Sequence, residues 1–172
     1  MVAAREVRIH QRLGWGAVGL AVLIIIVGMA TALRAAKFGS RSTPPGIAPQ
    51  AFLVVPLFDL LMFAVLLGGA IYYRKRAAEH KRLMLLTAIN FLPPAIARIP
   101  IAPLQALGPL WFFGLPTVLA LYCVGLDARR HGSLNRIFLA GTLLLIASYV
   151  VRLAIMNTSA WMATAQWLTS FV

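Results

Sequence analysis

Asp59 stands in the apolar run PLFDLLMF. A carboxylate at the centre of a membrane helix costs about 2.5 to 3.5 kcal/mol on insertion scales unless a cation answers it. Two arginines are placed to do so, Arg98 and Arg152, each near the end of another apolar run. If the helix carrying Asp59 starts near Ala51, Asp59 lies about 12 Å below that end at 1.5 Å per residue. Side chains tilt toward their own helix N-terminus. In helices of opposite direction the arginines therefore lean inward and Asp59 outward, and the three converge in the outer half of a bundle. Such a cluster has two chemistries: an ion pair that fixes helix register, or a gate or proton-linked site. Two guanidinium groups against one carboxylate suit an anion better than a metal ion.

A second polar set, Glu79, His80, Asp127 and His131, stands at the opposite ends of the runs, with His10 in the N-terminal segment on the same side. Asp127 and His131 are four apart and share a face if their helix continues that far. His80 and His131, with Asp127, are candidate ligands for a metal or for haem iron; the competing reading is polar residues at helix ends on the membrane surface. There is no Gly-rich phosphate loop, CxxC, HExxH or Ser/His/Asp order. Four acids in the whole chain leave a general acid–base enzyme few groups to use. A non-enzymatic protein is the expectation.

The elements that position these residues follow from composition. The 172 residues are 61% hydrophobic and 12% charged, far from the usage of a soluble domain. The expected fold is all-α, a single integral membrane bundle of five transmembrane helices over about 14–33, 51–73, 82–101, 110–126 and 134–155. An interfacial helix over 158–171 follows, since Trp161, Leu168 and Val172 recur on one face of an uncharged tail. Arg82 to Leu92 alone rises about 16 Å of the roughly 30 Å a crossing needs. The third span must therefore run through Pro93 and Pro94 and kink near Asn90. Each proline removes an N–H, so the carbonyls of Ile89 and Asn90 need other partners, and Thr87 and Asn90 are the polar side chains at hand.

With the N-terminus cytoplasmic, eleven Lys/Arg (Arg5, Arg8, Arg12, Arg74, Lys75, Arg76, Lys81, Arg82, Arg129, Arg130, Arg136) fall inside and five (Arg34, Lys37, Arg41, Arg98, Arg152) outside, as the positive-inside rule requires. The formal net charge of +12 comes from clusters at the ends of apolar runs without interleaved aromatics. That points to anionic lipid headgroups at the cytoplasmic face and not to nucleic acid. The single cysteine, Cys123, forms no intrachain disulfide and reads as a small apolar residue.

PLFDLL around Asp59, EHKRLMLLTA from Glu79, and the positions of Arg98 and Arg152 ahead of Trp161 and Trp167 resemble a large group of small uncharacterised bacterial multi-helix membrane proteins. The short run His80-Lys81-Arg82-Leu83-Met84 is similar to the hinge of a family of small membrane proteins implicated in assembling haem-copper oxidases. The resemblance implies a multi-pass protein of the bacterial inner membrane, an accessory or assembly subunit of a larger respiratory or redox complex. The residues keep two alternatives open: a small proton- or anion-linked transporter built on Asp59, Arg98 and Arg152, and a membrane b-type haem protein using His80 and His131.

Overall fold

The computed structural model describes residues 2–40, 43, 44 and 46–172, with side chains from Leu13 onward. Arg41 and the side chains of Arg5, Arg8, His10 and Arg12 lie outside the described residues. Among the described residues there are nine helices and no strand. Four stretches are long and apolar enough to cross a membrane, Leu13–Phe38, Pro49–Tyr72, Pro109–His131 and Arg136–Ile155. The chain is a multi-pass membrane protein in contact with the bilayer.

The chain divides into two compact units, one running to Leu60 and taking in Met162–Val172, the other Leu61–Trp161. In the first, α1 covers Val2–Phe38, longer at both ends than the apolar run. Arg and Ala are good helix formers outside the hydrocarbon as well as in it. The helix stops where Gly39 turns to φ +81°. α1 packs against the one-turn α2, Pro49–Phe52. Its buried face is made of small residues, Ala21, Ala32 and Ala36. At Gly28 a Cβ would stand 2.8 Å from Leu60 Cδ2, so the absence of a side chain there sets how closely the two segments approach.

α3 is Val54–Tyr72 and carries Asp59. The sequence predicts one helix over 51–73; the structure breaks it at Leu53. Pro56 explains the break, because it has no N–H to give the Phe52 carbonyl. The tail is α9, Ser159–Thr169, where the Trp161 N–H is capped by the Thr158 hydroxyl at 3.2 Å. Its 11 residues rise about 16 Å, half a crossing. Within the first unit the Lys37 ammonium donates to the Val172 carbonyl oxygen, so the end of the tail lies level with the Phe38 end of α1.

In the second unit α3 enters the hinge Tyr73–Arg76, and α4 follows over Ala77–Asn90. Phe91 interrupts the helix at φ −94°, ψ 7°, its N–H turned back to the Ala88 and Ile89 carbonyls, before α5 resumes over Leu92–Ile96. The break falls where Pro93 and Pro94 require it. The one-turn α6, Ala102–Gln105, leads to α7, Pro109–His131. α7 outlasts its apolar run by five residues and ends at Gly132 in the left-handed conformation, with Arg129, Arg130 and His131 in the last turn, where cations complement the helix dipole. α8, Arg136–Ile155, is capped by Asn135 Oδ1 accepting from the Phe138 N–H at 2.9 Å.

α4 packs against both α7 and α8. Leu66 of α3, Leu83, Leu86 and Ile89 of α4, Ala120 and Val124 of α7, and Phe138, Leu145 and Tyr149 of α8 form the buried apolar cluster. Gly141 of α8 is its tightest point, where a Cβ would lie 2.7 Å from Leu86 Cδ1 and 3.3 Å from Leu83 Cδ2.

Candidate functional site

The polar centre with the most complete geometry joins α4 to α7. Arg82 Nε donates to Asp127 Oδ2 and Arg82 Nη2 to Asp127 Oδ1, both at 2.9 Å. Side-chain exposures are 8% and 13%. A planar guanidinium meeting a carboxylate edge to edge fixes orientation as well as distance. His131 extends the set from one turn on, its Nδ1 2.9 Å from the Asp127 backbone oxygen and 3.4 Å from Oδ1. A carbonyl only accepts, so His131 carries its proton on Nδ1. His80 does the same, its Nδ1 donating to the Ala70 carbonyl at 2.8 Å and tying α4 to the last turn of α3.

This arrangement is poor in open chemistry. Asp127 already engages a guanidinium through both oxygens, and the side chain of His131 is 55% exposed. Among the described residues no group of three His, Cys, Asp or Glu side chains could hold a metal ion. A haem needs an enclosed apolar cleft beside its axial ligand, whereas His131 stands on an exposed rim. His80 and His131 do not fit that group here, and no step is derived through one.

Of the residues of the intramembrane cluster, Asp59 belongs to the first unit and Arg98 and Arg152 to the second. Asp59 is buried, 4% exposed, in α3. Arg152 is completely buried in α8. Its Cζ lies 5.8 Å from the Phe113 ring centre and 5.1 Å from that of Tyr149, and the two rings stack at 4.7 Å. Guanidinium over aromatic faces is a cation–π contact that strengthens as water is removed. Arg152 Nη2 also donates to Ser148 Oγ at 3.2 Å, and that hydroxyl donates to the Leu145 carbonyl at 2.7 Å. Arg98 differs from Arg152. It is exposed, its Nη1 giving 2.7 Å to the Pro94 carbonyl one turn back, so within the second unit the two arginines do not share a buried pocket.

At the break, Pro93 is buried and Asn90 fully so. Thr87 Oγ1 goes to the Met84 carbonyl at 2.6 Å, a bond within its own helix and not one to the carbonyls that the prolines release. The Ile89 carbonyl is met by the Phe91 N–H instead.

Sequence reasoning counted Arg82 with the basic hinge and missed its partner. The signal was present. Arg82 falls on the stripe of Leu83, Leu86 and Ile89, and Asp127 stands three residues beyond Val124 and seven beyond Ala120, so both occupy core positions of their helices. Comparison with known protein families, with curated proteins and with solved structures found no match.

Proposed function

We propose that this is a non-catalytic polytopic protein of the bacterial inner membrane, its N-terminus cytoplasmic, serving as an accessory or assembly subunit of a larger respiratory or redox membrane complex. The supporting observation is the first span. Only 11% of its apolar window is buried within the chain, with Trp15, Leu20 and Ile26 at 75, 58 and 61% exposure. Gly16 and Gly19 have open space where a side chain would stand, and small residues let a second helix approach in lipid, where apolar surface alone gives no drive to associate. Arg82, Asp127, Ser148 and Arg152 of the second unit agree with a structural role, being engaged within the bundle. The fifth crossing belongs to the same reading. Arg82 near the start of α4 meets Asp127 near the end of α7, so residues 77–108 travel the length of α7, and α4 with α5 supplies the crossing in two pieces. The likeness of His80-Lys81-Arg82-Leu83-Met84 to the oxidase-assembly hinge supports the redox setting.

Purification from native membranes in mild detergent tests this. Stoichiometric larger subunits are expected, lost when Gly16→Leu and Gly19→Leu obstruct the open face. A lone polypeptide from several gentle detergents overturns the reading, and a Soret band on it transfers the case to haem. The burial of Asp59 and Arg152 favours a second reading, a proton- or anion-linked carrier. Its signature is transport in liposomes abolished by Asp59→Asn; unchanged transport removes Asp59 from that mechanism.

A further inference from the structure

The fork between Arg82 and Asp127 has a geometric consequence at the end of the second unit. It holds the start of α4 level with the end of α7, so the hinge Tyr73–Arg76 and the hinge 132–135 lie at one end of the bundle. Arg74, Lys75 and Arg76 lie in the first hinge with Lys81 just beyond it in α4, Arg129, Arg130 and Arg136 flank the second, and all seven are exposed. The nearby acids are Glu79, half-buried, and Asp127, already neutralised by Arg82. His80 is turned to the Ala70 carbonyl and His131 to Asp127. The end is therefore two adjacent cation clusters with almost no opposing charge.

We propose that this end is a binding site for one anionic lipid that carries two phosphates, of the diphosphatidylglycerol class, each phosphate taken by one hinge. Helices packed side by side lie about 8–10 Å apart, a gap that long Lys and Arg side chains on both sides bridge onto a single double headgroup. Each juxtamembrane cation adds a comparable increment of attraction to anionic lipid, so clustering on a rigid frame favours the ligand with two linked charges over two separate ones. Exposed Met84 and Leu85 of α4 and Leu121 and Tyr122 of α7 continue each hinge into the hydrocarbon, where acyl chains lie. The inference rests on the membrane reading alone and holds whether or not the protein is an accessory subunit.

The test measures lipid affinity and thermal stability of the full chain in zwitterionic detergent. Diphosphatidylglycerol is expected to bind and raise Tm more than phosphatidylglycerol at matched phosphate, with phosphatidylcholine inert. Arg129→Gln with Arg130→Gln, or separately Arg74→Gln with Arg76→Gln, is expected to weaken diphosphatidylglycerol about 10- to 30-fold and to bring it level with phosphatidylglycerol. Arg34→Gln with Lys37→Gln, in the first unit, should leave both lipids unaffected. Equal binding of the two anionic lipids by the unaltered protein overturns the proposal, as does undiminished preference in both hinge variants. An equal response to pyrophosphate would show a free-phosphate site and overturn it too. The four altered hinge arginines are exposed, so the Tm of the hinge variants without lipid should match the parent, which separates lost binding from lost folding.

Discussion

An arginine on a core stripe commits a protein to finding it a carboxylate, and Arg82 illustrates the energetics. Removing one member of a buried pair leaves the other charge unanswered, which costs roughly 3–5 kcal/mol; replacing both by apolar residues of similar size is often near neutral. Arg82→Met is therefore expected to lower stability by about 3 kcal/mol, toward the small end because Asp127 keeps some contact with solvent. Asp127→Leu should cost a similar amount, and the double variant should recover most of the loss. Thermal or denaturant unfolding in detergent checks this as a double-mutant cycle, and additive losses would show that the fork contributes no coupling. Arg82→Lys should keep the charge yet lose the second hydrogen bond, giving an intermediate Tm. Arg152 was legible from the same periodicity: Phe138, Leu145, Tyr149 and Arg152 follow at spacings of seven, four and three. Charge type alone is what hid Arg82, since hydropathy scores an arginine as surface wherever it stands. The aromatic faces that receive Arg152 were not legible, because Phe113 is 39 positions away on α7 and only packing brings it near.

Helix ends and breaks obey different signals from helix interiors. Hydropathy located the lipid-facing parts of α1 and α7 but stopped short of their true ends, which Gly39 and Gly132 set by adopting positive φ. Proline marked the interruption at Phe91 in advance, yet the equivalent effect of Pro56 on the second span went unread. Two predictions belong here. Gly141→Val must force Leu86 and Leu83 aside in a packed interior, an overpacking cost of about 1–3 kcal/mol, read as a lowered Tm; an unchanged Tm would show that the α4–α8 contact is slack. Pro93→Ala with Pro94→Ala supplies N–H donors to the Ile89 and Asn90 carbonyls. Hydrogen exchange should then find residues 91–94 protected as one helix with α4, whereas continued fast exchange would place the cause of the break elsewhere.

Across the whole chain, the proposed orientation rests on the asymmetry of charge. The proposal that the basic hinges face the cytoplasm is checked with single cysteines in a Cys123→Ser background. Ser133→Cys in the hinge is expected to resist a membrane-impermeant maleimide on intact cells, and Thr158→Cys before α9 to react; the reverse pattern inverts the topology. The four long apolar spans were readable from composition because lipid leaves a helix no option but to satisfy its backbone internally. The proposed crossing by α4 and α5 was readable only as a length argument, since α4 is too polar to announce itself.

That polarity bears on how the protein is made. Arg82 precedes Asp127 by 45 residues, which a ribosome adding about 5–20 residues per second supplies only some 2 to 9 s later. In that interval the guanidinium lacks its carboxylate, and the contact of α4 with α7 and α8 has yet to form. Biogenesis thus has a late step: the fork, and with it the contact between α4 and α7, closes only after the far end of α7 has been made.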